Sequence, residues 1–239
     1  GPIEPGNLGI TLTHEHLLVD LTVAHGPPVS ASDIGFYREP VSQETLGRIR
    51  YYGAQNEDNA QLFDVSTAID EVNSYKEHGG TTLVDATSVG IARDPLGLFR
   101  ISNATGVNVI MGASYYVADA HPSDMDRLTE DDIVDHIVRD ITEGADGTGV
   151  KSGVIGEIGC SWPLAVNERK VLRASARAQR ITGAPILIHP GREETSPLQI
   201  IEVLAEAGAD LSRTIMGHLD RTVILRSTLT KIAEAGCYM

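Results

Sequence analysis

GITLTHEHLLVD, residues 9–20, reads as a buried strand interrupted by two histidines, His14 and His16. Residues i and i+2 of a strand point to the same side, so both imidazoles face one way. Similar short apolar runs recur along the chain, each after a helix-like stretch that ends in glycine. These segments are EHGGTTLVDAT (77–87), NATGVNVIMGA (103–113), RITGAPILIHP (180–190), EAGADLSRTIMGH (206–218), EAGCYM (234–239) and, more loosely, GADGTGVKSGVIGEIG (144–159).

The alternation of helix-like and strand-like segments predicts an α/β fold with a parallel sheet. The apolar runs are typical of strands covered on both faces, and six strands precede the start of a seventh at residues 237–239. Ser66 and Thr129 are candidate N-caps of two helices. Residues 20–65 are interpreted as a long insertion after the first strand, with a helix around 42–55, which is expected to lie over the mouth of the sheet.

The positions of the polar residues distinguish between two parallel architectures. Each polar cluster lies at the carboxyl end of a strand: His14 and His16, Asp85, Glu157, His189, His218. Convergence of many strand ends on one mouth favours an incomplete (β/α)8 TIM barrel, with strands 1–6 and the start of strand 7. A doubly wound sheet is disfavoured, because no G-x-G-x-x-G loop follows any strand. Residues 1–239 are therefore interpreted as a single barrel domain.

Composition and charge exclude several classes of partner. The net charge is −14, and its dispersion along the chain argues against a nucleic-acid or anionic-membrane partner. No apolar stretch approaches the ~18 residues of a membrane span. Cys160 and Cys237 are interpreted as free thiols, and Cys160 as a packing residue. No secretory signal precedes the first strand, so a cytoplasmic protein is predicted, and a homo-oligomer is left open.

Half of the eight histidines lie at strand ends. The other four (His25, His78, His121, His136) are interpreted as surface residues. Glu157 stands among apolar residues and glycines, where an unpaired carboxylate would be costly, so it needs a cation. Four imidazoles and one carboxylate suit zinc, with manganese, iron or cobalt as alternatives, and do not suit calcium or magnesium. Two divalent ions with Glu157 between them would use all five ligands and would activate a bridging water as hydroxide.

These motifs resemble the phosphotriesterase family of the amidohydrolase superfamily. The resemblance rests on THEH (13–16), GVIGEIG (153–159), IHPGR (188–192) and GHLDRT (217–222), and GEIGCSWPL (156–164) with NERKVL (167–172) is closer to the animal phosphotriesterase-related branch. It implies that His14 and His16 hold the more buried metal ion, and that His189 and His218 hold the second. Glu157 takes the place of the carboxylated lysine that bridges the ions in bacterial paraoxonases.

The resemblance also implies roles for residues around the metal ligands. Tyr116 matches an aromatic position that lines the leaving-group pocket, and Arg93 with Asp94 matches a motif interpreted as structural. Asp220 and Arg221 stand where the bacterial enzymes have two acids, so Glu157 and Asp220 are the candidate catalytic acids and Asp220 alone is left for a proton relay. The family's last metal ligand, an Asp at the end of strand 8, would lie on the order of a hundred residues further on. The chain is therefore expected to be a fragment that lacks it.

The implied activity is hydrolysis of a small amide or ester by a metal-activated hydroxide. The animal branch implies N-acyl amino-sulfonates such as N-acetyltaurine, with a lactonase or a phosphotriesterase as alternatives and an inactive metal-binding fragment as an alternative of another class. Arg192 and Arg221 follow two ligand strands directly and would suit an anionic substrate, because guanidinium pairs with sulfonate or carboxylate. Both could instead cap carbonyls or pair with Asp220 or Glu193.

Overall fold

A parallel sheet of six strands is the frame of the computed structural model, which describes residues 1–24, 28 and 30–239. The strand order in this sheet is β1-β4-β5-β6-β7-β8, so each of its strands pairs with the next strand of the same sheet along the chain. The short strands β2 and β3 form a separate antiparallel pair. Tyr238 adds a parallel bridge to Ile215, where the seventh strand of the predicted sheet begins. The strands are β1 Ile10–Glu15, β2 Val19–Asp20, β3 Gln61–Leu62, β4 Gly80–Asp85, β5 Asn108–Ala113, β6 Val154–Gly159, β7 Ile186–His189 and β8 Thr214–Met216.

Helices connect the sheet strands, as the sequence pattern predicts. Two of them end in a left-handed glycine, Gly106 and Gly183, which lets the chain turn directly into the next strand. Thr129 is an N-cap and forms a capping box with Asp132. The described helices are α1 Ala31–Arg38, α2 Leu46–Tyr52, α3 Val65–Glu77, α4 Pro95–Thr105, α5 Glu130–Thr142, α6 Val166–Thr182, α7 Ser196–Glu206, α8 Leu219–Thr222 and α9 Arg226–Glu234.

The sheet curls strongly, and its two edges show this directly. In a flat sheet, the five spacings between the edge strands β1 and β8 would separate them by about 24 Å. His14 on β1 and His218 after β8 nevertheless lie with ring centroids 4.5 Å apart. Only a sheet bent into most of a barrel brings these edges to one point, so the predicted incomplete barrel is confirmed.

The strands are covered on both faces, as their continuous apolar runs predict. Isoleucines on β6 and β7 have no exposed surface, and they belong to one large cluster with the inner faces of α5, α6 and α7. Burial of each such side chain contributes about 1.5–3 kcal/mol. The core therefore holds the carboxyl ends of the central strands rigidly, where the polar residues follow. The fully buried isoleucines are Ile155, Ile158, Ile186, Ile188.

The insertion differs in detail from its prediction. A helix does occur within 42–55, as α2, but α1 and the β2–β3 pair lack the periodicity that would have predicted them. The segment Thr22–Ala24 packs against Ala118–Ala120, at the mouth of the sheet. None of the helices in the described ranges combines the length and apolar character that a bilayer crossing requires.

A second correction concerns the start of α3. Its N-cap is Asp64, whose side chain accepts a hydrogen bond from the Thr67 amide at 2.6 Å, and Ser66 lies inside the helix. Aspartate and serine both serve as N-caps, so the sequence pattern alone leaves the first turn uncertain by two residues.

Arg93 and Asp94, interpreted as structural from the sequence, do have structural roles. Asp94 caps α4 by accepting a hydrogen bond from the Gly97 amide at 2.9 Å. Arg93 is buried, and its guanidinium donates to Asp140 Oδ2 on α5 at 2.6 Å and to Asp146 at 3.1 Å. This ion pair ties the segment after β4 to α5 below the mouth.

Asp140→Ala would leave the buried Arg93 guanidinium with the half-exposed Asp146 as its one remaining counterion among the described residues, beside the Gly112 carbonyl to which it also donates. We expect the free energy of unfolding of the full-length protein to fall by about 3 kcal/mol, because a buried charge loses its counterion. Urea denaturation measures the change. Arg177→Met, which removes the exposed pair with Asp131, is the control and should have a much smaller effect. Equal losses in both variants would contradict a special role for the buried pair.

Candidate metal centre

Four imidazoles surround the carboxylate of Glu157, which is 1% exposed. One carboxylate oxygen, Oε2, lies 3.1 Å from His14 Nε2, 2.9 Å from His189 Nδ1 and 3.4 Å from His218 Nε2. The other oxygen, Oε1, lies 3.4 Å from His16 Nε2. The structure thus brings together all five residues that the sequence analysis selected as metal ligands.

Each of these side chains is positioned by the end of a strand. His14 lies on β1 and His16 directly follows its last residue, while Glu157 and His189 lie on β6 and β7. His218 follows β8 as the N-cap of α8, in a left-handed conformation with φ of 53°. The ring of His16 is held from behind by Thr87, whose Oγ1 lies 2.9 Å from Nδ1.

The carboxylate and its histidines shift one another's pKa values. Burial raises the pKa of Glu157, but the four surrounding imidazoles outweigh this effect and hold the pKa well below its ordinary value. Burial lowers the pKa of His16, yet Glu157, Asp85 and Glu15 raise it to a net value above the ordinary one. For His189, burial dominates and lowers the pKa. The centre therefore holds a carboxylate anion within a group of nitrogens that differ in basicity.

Two nitrogens, His14 Nε2 and His16 Nε2, lie near the carboxylate without a well-aligned hydrogen bond to it. The Thr87 hydroxyl lies 3.2 Å from the Leu18 carbonyl and donates to it, so Thr87 accepts from His16 Nδ1. A neutral His16 then presents the lone pair of Nε2 to Glu157. His14 Nε2 is buried and lacks a well-aligned hydrogen bond despite its 3.1 Å approach. Nitrogen lone pairs facing an anion repel it, unless a cation lies between them.

This donor set fits a divalent transition-metal ion. Ligand atoms of His14, Glu157 and His218 lie within 4.8 Å of one another, close enough to share one ion. Imidazole nitrogen with carboxylate oxygen suits zinc and its neighbours in the first transition row, and oxygen-only sites suit calcium or magnesium. His14, Glu157 and His218 could hold such an ion, and His16 and His189 flank the same carboxylate.

A cavity of about 730 Å³ opens onto the centre. Tyr116, which the family resemblance places in the leaving-group pocket, contributes to the cavity wall, and its hydroxyl lies 3.4 Å from His189 Nδ1. Asp220 does not line the cavity; it is exposed on α8, and its catalytic role stays a prediction. The lining residues are His16, Leu21, Tyr116, Val117, Ala118, Asp119, Glu157, Cys160, Ser161, Trp162, Ala165, His189, Pro190, Gly191, Arg192, His218 and Arg221.

Arg192 and Arg221 lie at the mouth of this cavity, as predicted. Within the described ranges neither guanidinium forms an ion pair with Asp220, Glu193 or any other acid. Arg221 instead donates to His189 Nε2 at 2.8 Å. Burial lowers the pKa of Arg221, and the nearby charge of Arg192 lowers it further. Two cations that repel each other beside an open cavity favour a bound anion.

Two of the histidines predicted to lie on the surface are partly buried in the structure. His78 is exposed as predicted, and His25 lies outside the described residues. His121 and His136 are partly buried, and His136 Nδ1 lies 2.5 Å from the Tyr115 hydroxyl. Helical position alone could not predict this contact, because Tyr115 comes from the end of β5. Cys160 is buried as predicted, and burial raises the pKa of its thiol well above the ordinary value.

The family model that matches this chain covers residues 1–239 and describes the phosphotriesterase family. The chain belongs to the phosphotriesterase family. Human N-acetyltaurine hydrolase is 43% identical over 240 residues, which span 100% of this chain and 68% of the human protein. The phosphotriesterase-related protein of Nematostella vectensis is 42% identical over 100% of this chain and 69% of its own length. The crystal structure of a resiniferatoxin-binding protein from Rhodobacter sphaeroides has a TM-score of 0.94 and 39% identity, over 99% of this chain and 66% of that one.

This phosphotriesterase-family chain spans about two thirds of the length of these relatives. Membership confirms the resemblance on which the ligand assignments rest, together with the predicted barrel and the hydrolase class. The family is metal-dependent, in agreement with the histidines and carboxylate of the candidate centre. The identity and number of the ions stay predictions.

Glu157→Gln keeps the size of the side chain and removes its charge. In the full-length protein we expect metal affinity to fall at least about 100-fold, because the anion that offsets the charge of the ion is lost. Titration of chelator-treated protein with zinc or manganese measures the change. His78→Gln, which changes an exposed histidine away from the centre, is the control. Full metal affinity in Glu157→Gln would show that this acid is structural.

Proposed function

We propose that the protein is a binuclear, zinc-dependent amide hydrolase that acts on small N-acyl amino-sulfonates such as N-acetyltaurine. The observation that carries this proposal is the location of two guanidiniums without acidic partners, among the described residues, in the cavity that contains the His/Glu centre. The relative named N-acetyltaurine hydrolase, 43% identical over the whole chain, supports the choice of amide. Manganese, iron and cobalt are the alternatives to zinc.

The family resemblance suggests how the ligands would divide between two ions. His14 and His16 would hold one ion, His189 and His218 the other, and Glu157 would contact both, since imidazoles of both pairs lie within 3.4 Å of its carboxylate. When bound, the ions would supply a water-derived nucleophile at neutral pH and would polarise the scissile carbonyl. The chain itself supplies a buried anion that keeps the two cations close together, and a cavity shielded by apolar side chains.

The charged side of the cavity would recognise the substrate's acid group. Arg192 and Arg221 present fixed positive charge whatever the pH near neutrality. A sulfonate accepts several hydrogen bonds from guanidinium groups, and it would place the acyl end of the same small molecule toward Glu157 and the imidazoles. The apolar side, with Tyr116, Val117 and Trp162, would receive the acyl group. In this orientation Tyr116 would contact the acyl end of the substrate, and not the leaving group as the family resemblance implies.

The hydrogen bond from Arg221 to His189 connects these two functions. Guanidinium only donates, so His189 Nε2 accepts and the ring proton lies on Nδ1, which faces Glu157. If Nδ1 instead bound an ion, the ring proton would have to lie on Nε2. Nε2 would then be a donor and could no longer accept the hydrogen bond from Arg221. The two arrangements exclude each other, and an Arg221 released from His189 would be available to an anionic substrate.

Relative kcat/KM values across four substrate classes test the proposed reaction. We expect full-length, zinc-loaded protein to hydrolyse N-acetyltaurine with kcat/KM at least about 100-fold above that for a lactone, a phosphotriester or a neutral N-acetyl amine, since charge pairing and a matched site both contribute. Substrate loss and amine release are measured in parallel. A preference for the lactone or the phosphotriester would replace the amide proposal, and metal binding without turnover would favour a non-catalytic protein.

Arg192→Gln tests the anion site without removing the donor to His189. We expect KM for N-acetyltaurine to rise about tenfold, because an exposed charge-assisted hydrogen bond is lost, with kcat little changed. A neutral N-acetyl analogue is the control substrate, and its kcat/KM should stay the same. A similar loss for both substrates would assign Arg192 to the structure of the loop instead.

A further inference from the structure

Two loops form the apolar wall of the cavity. The first follows β5 and contributes Tyr116, Val117 and Ala118, and the second follows β6 and contributes Ser161, Trp162 and Ala165. Neither loop supplies a ligand to the candidate metal centre. Their separation nevertheless determines the room left beside Glu157 for a bound molecule.

Both loops are fastened to one side chain, Glu168, at the third position of α6. Its Oε1 accepts a hydrogen bond from the Ala118 amide at 2.9 Å. Its Oε2 accepts from the Ser161 hydroxyl at 2.8 Å and from the Ala165 amide at 2.9 Å. The Ala165 bond belongs to an ordinary helix capping arrangement, but the other two extend to segments that line the cavity.

The burial and charge of Glu168 indicate a special requirement at this position. The residue is 0% exposed, and among the described residues it forms no ion pair with a lysine or an arginine. A buried anion is tolerated only where hydrogen bonds satisfy it, and here three donors from two loops do so. Glutamine cannot replace it without loss, because its NH₂ group would face the Ala165 amide in one of its two orientations and the Ala118 amide in the other.

Two glycines let neighbouring backbone approach these loops closely. A Cβ at Gly159, the last residue of β6, would overlap the backbone of Tyr116 and Val117 in the first loop. A Cβ at Gly191, after β7, would overlap the backbone of Ser161 and Trp162 in the second loop. The wall is therefore built from backbone segments in direct contact, and Glu168 spans them from behind. Close contact keeps the loops from moving inward, and the hydrogen bonds to Glu168 oppose their separation.

We propose that Glu168 is a positioning residue that limits the size of the acyl group accepted by the site. The proposal rests on the proposed function, in which the apolar wall receives the acyl end of the substrate. Glu168 acts through the two loops and touches neither the substrate nor the ligands of the centre. Weakening it should therefore change which acyl chains fit, and leave metal binding as it is.

The test compares Glu168→Gln with the wild type in the full-length protein, by three measurements. Amide hydrogen exchange over residues 116–120 and 160–166 should accelerate at least about tenfold in the variant, because each loop loses an anchoring bond. Zinc content should be unchanged. The ratio of kcat/KM for an N-acetyl over an N-hexanoyl amino-sulfonate should fall about tenfold, since the wall can then yield to the longer chain.

The matched control is Glu194→Gln. Glu194 also bridges two segments, accepting from the Ile224 and Leu225 amides at 2.8 and 3.2 Å, and it does not line the cavity. Unchanged exchange in either wall loop, an equal effect of Glu194→Gln, or loss of zinc would overturn the proposal. If the wild type hydrolyses neither amide, the proposed function is wrong. The exchange rates and the zinc content still test the role of Glu168 in the loops, because neither measurement depends on turnover. If Glu168→Gln does not fold, Ser161→Ala removes one bond and should accelerate exchange at 160–166 by a smaller factor.

Discussion

The carboxylate of Glu157 is buried among imidazoles from three strands, and the rest of the structure has to accommodate this one anion. Such a group is stable in the interior only while nitrogens or cations surround it. His14 and His218 belong to opposite edges of the sheet, so both can reach Glu157 only if the sheet curls. The electrostatic requirement of the site and the curvature of the fold are therefore linked, and neither can be changed without the other.

The sequence predicted the fold well where the signals were local and repeated. Short apolar runs, each preceded by a glycine at the end of a helix, located the sheet strands. The placement of His189 and His218 at strand ends predicted a common mouth. Glu157 could also be identified as a partner of the histidines without a structure, because an acid in so apolar a stretch requires a cation or hydrogen-bond donors beside it. Family resemblance then supplied the division of ligands between two ions, which remains a proposal.

Other features depend on residues that are distant in sequence and carry no pattern of their own. The β2–β3 pair is too short for periodicity, and Asp64 and Ser66 both satisfy the residue preference of an N-cap. Glu168 looks like any acid in the first turn of a helix, and only the folded chain shows its contact with Ala118. Asp220, selected because it stands where bacterial relatives have an acid, is exposed on α8 and does not line the cavity.

The order of the strands has a consequence for how the centre is assembled as the chain folds. Each sheet strand pairs with its neighbour in sequence, so the sheet can grow stepwise through loops of moderate length. The centre itself joins His14 to His218, about 200 residues apart, a closure of very high contact order. We therefore expect strand pairing to precede the convergence of the imidazoles, which makes the functional centre a late product of folding rather than its nucleus.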